Sequence, residues 1–296
     1  MKISIPNTIF ISFIHLFPIL TINYFEINQL NTIIALWAIK CFSITAGMHR
    51  LWTHQSYNTY PKIKLFLLAS CNSTFEGSVK KWTIDHRMHH RFEESNKQYL
   101  DPYSIKKGFW WAHTVCHLVK KSDEYKLEAK KVEKELYYTR NNYDNIIIEF
   151  ENKYYFKLAL FTGIIYPTVL FKLIYYNYSI ISCFYSTILT ILFTYHSTWS
   201  INSFAHMIGD KPYSTKHTSC DNHLLSIFTF GEGYHNYHHS FPKDYKASQT
   251  LKCFNITGWI IFLLYKLNLA YDLKEVSKIK KTELPELDNI NYEILD

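Results

Sequence analysis

Four stretches of this chain are almost free of charge, and each is long enough to cross a lipid bilayer. Residues 9–25 carry no charge, and Glu26 follows at once. Residues 30–48 carry only Lys40, residues 156–176 carry Lys157 and Lys172, and residues 179–200 carry none. A hydrocarbon layer of about 30 Å takes about 20 helical residues at ~1.5 Å each, which these lengths match. Pro18 and Pro167 lie inside two of the stretches, where membrane helices tolerate them. A mean hydropathy of −0.14 hides this pattern, because the charged residues are gathered elsewhere.

The basic residues orient the spans. No Lys or Arg occurs in the short links 26–29 and 177–178, whereas 15 occur from Lys80 to Lys153 and 10 after Met207. The positive-inside rule then puts both termini and the central region on the cytosolic side. Acidic residues interspersed there, including Glu93, Asp101, Asp123, Glu124, Glu128, Glu133 and Glu135, suggest folded, solvated helices rather than a polybasic tail. The first stretch follows Lys2 but lacks a small-x-small cleavage pattern, so it reads as a retained span. The runs 65–75 and 259–269 are too short to span and read as re-entrant, interfacial or core helices. Six scattered cysteines without a C-x-x-C pair argue for a reducing compartment and against a cysteine zinc site. A net charge of +7 suggests an anionic partner, be it phospholipid, nucleic acid or a phosphorylated cofactor.

The chain has 15 histidines, nine of them in four groups. H-R-L-W-T-H supplies His49 and His54, and H-R-M-H-H supplies His86, His89 and His90. N-S-F-A-H supplies His206 with Asn202, and H-N-Y-H-H supplies His235, His238 and His239. On a helix of about 100° per residue, H-x-x-H-H puts three imidazoles on one face. His49 and His54 fall about 140° apart on a regular helix and converge only where it ends or unwinds. Imidazole suits iron, zinc, copper or nickel, and nine ligands suit two metals better than one. Asn202 fits a role in holding a metal-bound water. His15, His113, His117, His196, His217 and His223 read as ordinary capped or core residues.

These motifs resemble those of the membrane-bound acyl-CoA delta-9 desaturases, the stearoyl-CoA desaturase family. The likeness runs from about Phe13 to Lys281, through I-T-A-G-M-H-R-L-W-T-H-Q-S-Y, D-H-R-M-H-H-R-F, N-S-F-A-H-M-I-G-D-K-P-Y and G-E-G-Y-H-N-Y-H-H-S-F-P-K-D-Y. It implies one all-α integral membrane domain over 1–296, with four transmembrane helices (9–25, 30–48, 156–176, 179–200). A cytosolic helical cap (49–155 and 201–281) would hold a histidine-ligated di-iron centre, and 282–296 would form a loose tail. One iron would take His49, His54, His86, His90 and His239. The other would take His89, His206, His235 and His238, with Asn202 on a water. The middle histidine of an H-x-x-H-H is expected to serve the other metal, as His89 does in this division, whereas His238 stays with His235.

The implied reaction is oxygen-dependent delta-9 desaturation of palmitoyl- or stearoyl-CoA in the endoplasmic reticulum membrane. Cytochrome b5 and its reductase would supply electrons, and nucleic acid is not among the implied partners. Zinc is expected to replace iron in some purified preparations. Trp82, Thr198 and Trp199 match positions lining the bend of the acyl tunnel, and Lys120 and Lys121 match a basic pair that meets coenzyme A. From the length of the chain beyond carbon ten, roughly seven residues of helix rise, Cys41 and Trp37 are expected to set maximum chain length.

The sequence departs from animal members at Tyr103 and Ser104 within D-P-Y-S, at Glu76 in place of a glutamine, and at Ile84 in place of a basic residue. These departures bear on coenzyme contact and regiochemistry. The alternatives are a di-iron lipid hydroxylase, a desaturase of other regiospecificity and, further off, a non-catalytic metal-binding membrane protein.

Overall fold

The computed structural model describes residues 2–93 and 95–276, so the expected tail at 282–296 and the end of the cap at 277–281 lie outside the described residues. The described chain is mostly helical: α1 Ile5–Leu20, α2 Leu30–Phe42, α3 Pro61–Asn72, α4 Val79–Phe92, α5 Cys116–Leu118, α6 Asp123–Thr139, α7 Asn142–Leu160, α8 Tyr166–Ile174, α9 Ile180–Ser203, α10 His223–Phe228, α11 His235–Ser240 and α12 Ile256–Lys266. Two short antiparallel strands, β1 Asn58–Thr59 and β2 Ala270–Tyr271, pair Asn58 with Tyr271 and Thr59 with Ala270.

Among the described residues, three helices are long and apolar enough to cross a membrane: Ile27–Thr53, Asn142–Ile174 and Ile180–His206. The first expected span appears as α1, which is apolar but only 16 residues long. The third is longer than expected, because α7 begins well before Phe156 and runs through a π-wound stretch, Phe161–Ile165, into α8. Serine and asparagine caps start several helices: Ser78 Oγ accepts from Lys81 N, Asn141 Oδ1 from Asp144 N and Ser179 Oγ from Ser182 N.

Apolar packing then brings the elements together. Ile11 and Ile14 of α1 meet Ile188, Ile191, Tyr195 and Trp199 of α9, while Ile33 of α2 packs with Phe171 of α8 and Cys183 of α9. On the other side of the site, Met88 and Phe92 of α4 pack against Tyr125, Val132 and Leu136 of α6. The ends of α2, α4 and α9 thus meet in one place.

The end of α2 explains how His49 and His54 converge. From Ser43 to Thr53 the chain is π-wound, and His54 N donates to His49 O at 3.0 Å. A π-helix closes i to i+5 bonds, so residues five apart return close to the same side. The two imidazole centroids stand 4.8 Å apart.

Candidate metal centre

Two groups of ring nitrogens converge, each with its donor atoms within 4.8 Å of one another. The first is His49, His54, His86, His90 and His238, and the second is His89, His206, His235 and His239. Within the first, Nε2 to Nε2 separations are 2.9 Å for His49–His238, 3.0 Å for His54–His86 and 3.1 Å for both His86–His90 and His90–His238. In the second, His235 and His239 stand 3.1 Å apart by the same atoms. All nine expected histidines therefore come together, but the expected division between the groups is corrected at the last box. His238 joins the first group and His239 the second. The reason is helical: i and i+4 share a side, while i+3 lies on the other flank. His86 and His90 pair against His89, and His235 and His239 pair against His238.

Carboxylates hold the far side of several rings. Glu232 faces His49 Nδ1 at 3.1 Å, Asp101 faces His89 Nδ1 at 2.9 Å, and Glu93 faces His239 Nδ1 at 2.5 Å and His206 Nδ1 at 3.2 Å. A carboxylate at Nδ1 fixes the proton there and turns the Nε2 lone pair inward, the usual arrangement behind a metal ligand. Glu93 is buried, not solvated as its place in a charged region suggested. Burial alone would raise its pKa, but His239, His206 and His217 hold it well below the usual carboxylate range. Likewise Glu232, despite burial, is held at about 2 by Arg50 and His49. Burial, with the neighbouring histidines, keeps His54, His86, His90, His235 and His238 well below the usual imidazole value, and holds His239 at about 3 against the pull of Glu93.

Neutral imidazoles whose lone pairs face one another across 3 Å repel unless a cation lies among them. His206 Nε2 is buried with no hydrogen-bond partner. The donor sets therefore fit divalent metals that accept nitrogen ligands.

A cavity lies against the first and second groups, walled by Trp82, Thr198 and Asn202 together with His49, His86 and His235. Trp82 stacks on His86 at 4.9 Å between centroids. Three expected tunnel residues sit outside this wall. Trp199 is buried and stacks on His117 at 5.0 Å, Cys41 is buried in α2, and Trp37 donates to Ser197 Oγ at 3.1 Å. Lys121 sits over the rings of Tyr103 (5.6 Å) and Tyr125 (5.3 Å), whereas Lys120 is exposed and donates its backbone N–H to Lys2 O. Burial pushes Lys121 down, and Asp85 pulls it back.

Glu93, Asp101 and Glu232 were missed as ring-orienting groups, because Glu93 faces His239 and His206, Asp101 faces His89 and Glu232 faces His49, partners that only the fold brings to them.

Apolar helices of membrane-crossing length, joined to buried histidine clusters that could hold metal ions, fit a multi-pass membrane protein with metal sites. Residues 29–247 match the family model for fatty acid desaturases. The chain is similar to acyl-CoA desaturase 1 of Saccharomyces cerevisiae, at 35% identity over 82% of this chain and 45% of the relative. It is similar to a delta(9)-fatty-acid desaturase of Caenorhabditis elegans, at 32% over 82% of this chain and 70% of the relative. It also resembles the stearoyl-CoA desaturase of Homo sapiens, at 34% over 92% of this chain and 74% of the relative. The chain spans about half the length of the yeast protein. It belongs to the fatty acid desaturase family, whose members are oxidoreductases.

Proposed function

We infer that this chain is an acyl-CoA delta-9 desaturase, converting saturated fatty acyl-CoA, dioxygen, two electrons and two protons into the cis-monounsaturated acyl-CoA and two waters. The observation that carries this reading is the convergence of nine histidines on two adjoining pockets beside a cavity walled by Trp82 and Thr198. His49, His54, His86, His90 and His238 would hold one iron, and His89, His206, His235 and His239 the other, with Asn202 placing a water. Bound iron supplies activation of dioxygen and removal of hydrogen from an unactivated methylene, which acid–base side chains do not achieve.

The protein's own residues position and shield. Glu93, Asp101 and Glu232 fix ring orientation, and burial of the imidazoles keeps bulk water from the reacting carbons. Trp82 and Thr198 guide the acyl chain past His49 and His86. Lys121, with Lys120 beside it, would meet the coenzyme phosphates, and cytochrome b5 would deliver electrons to the basic cytosolic face. In this reading α1, α2, the α7–α8 helix and α9 are four spans of the endoplasmic reticulum membrane, with both termini cytosolic. Expression in cells lacking their own delta-9 desaturase tests it: palmitoleate or oleate should appear by gas chromatography and vanish with His89→Ala or His238→Ala. Hydroxy acids, or no new product, would refute it.

A further inference from the structure

We propose that His117 donates a hydrogen bond to the carbonyl oxygen of the bound acyl thioester and so sets the register of the acyl chain against the metal pockets. This inference rests on the acyl-CoA desaturase reading. By sequence His117 reads as an ordinary capped or core residue, and it lies outside both groups of converging histidines. Yet it lines the same cavity as His49, His86 and His235, and its Nε2 is buried with no hydrogen-bond partner.

The ring is held in place from several sides. It stacks on Trp199 with centroids 5.0 Å apart and planes 19° apart, and Tyr103 flanks it at 5.8 Å. Asn7 Nδ2 donates to the His117 backbone carbonyl at 2.9 Å. An unpaired His117 nitrogen beside a cavity is unfavourable against hydrocarbon alone, and a carbonyl oxygen accepts its N–H.

Position selects the thioester over the rest of the substrate. Lys121 lies four residues beyond His117, past the end of α5, and the same Tyr103 ring flanks both side chains. The basic side chain that meets phosphate would thus sit outermost, His117 next, and the metal-facing wall of the cavity innermost. That order matches phosphates, thioester and reacting methylenes along acyl-CoA. Burial, then Lys121 and Lys81, holds His117 at about 3, so the ring is neutral and carries one N–H to donate.

The test uses the full-length, metal-loaded chain and two probes, stearoyl-CoA and its S-octadecyl thioether analogue, which lacks the carbonyl. Wild type should bind the thioester about five- to tenfold more tightly than the thioether, the scale of one neutral hydrogen bond. His117→Leu and His117→Phe both remove the donor, and Phe also keeps the stack on Trp199. Either variant should lose most of that preference and yield product with its double bond spread to neighbouring positions. His117→Gln, which keeps an N–H donor, should restore both properties in part. An unchanged thioester preference with a single double-bond position in the Leu or Phe variant would overturn the proposal. Failure of wild type to bind either probe would instead overturn the desaturase reading.

Discussion

The Oε2 atom of Glu93 lies 2.5 Å from Nδ1 of His239, while its other oxygen reaches His206 Nδ1 at 3.2 Å. One buried carboxylate therefore orients two of the four rings in the second pocket. Thr218 completes its shell, donating from its backbone N–H at 3.0 Å and its hydroxyl at 2.6 Å.

Glu93→Gln should weaken metal retention in the second pocket about 10- to 100-fold, since an amide holds an imidazole proton less firmly than a carboxylate. Elemental analysis after dialysis against a chelator checks this: the variant should lose close to half of its iron before wild type loses any.

Arg50 should matter to stability more than to chemistry. Its buried guanidinium meets Glu232 at 2.8 Å, the Tyr245 carbonyl at 2.8 Å and Asn255 Oδ1 at 3.2 Å. Arg50→Met strands Glu232 in a buried site, a change that costs about 3–5 kcal/mol. Thermal unfolding in detergent should show a fall of several degrees, with His49 the first ligand loosened.

The effect of pH should be legible at Glu76. Burial pushes this cavity-lining carboxyl up to about 8, with Lys81 and Thr198 acting against the rise. A carboxyl that stays protonated on folding makes the native state bind more protons than the unfolded one. Its contribution to stability is present below the ordinary value of about 4.3 and declines as pH rises from there toward 8. Glu76→Gln cannot ionise, so its melting temperature should gain on wild type between pH 5 and 8, read by parallel unfolding scans.

Substitution at Cys41 tests the acyl-chain length limit. Cys41 is buried in α2, about two helical turns before His49. Cys41→Trp should shift products from eighteen-carbon toward shorter chains in a substrate panel; unchanged product lengths would remove Cys41 and its neighbour Trp37 from the tunnel.

Local chemistry in the sequence carried much of this architecture. Charge-free runs marked the α2, α7–α8 and α9 helices, because membrane length is a one-dimensional property. H-x-x-H-H spacing marked the histidines because a helix converts spacing into direction. What was not legible depends on distant contacts or on unusual backbone. The π-winding from Ser43 to Thr53 decides that His49 and His54 meet, yet no residue type requires it. Helical alternation placed His238 with the first group, where matching by motif had put His239. Glu93, Asp101 and Glu232 looked like ordinary acids until folding set them behind His239, His89 and His49.

The most direct test of the central claim is the product made from stearoyl-CoA by purified, iron-loaded protein, given dioxygen, cytochrome b5 and its reductase. Mass spectrometry should show oleoyl-CoA with its double bond between carbons nine and ten, formed only by protein holding two irons per chain. A hydroxylated acyl-CoA, or equal turnover by protein holding one iron, would contradict the account.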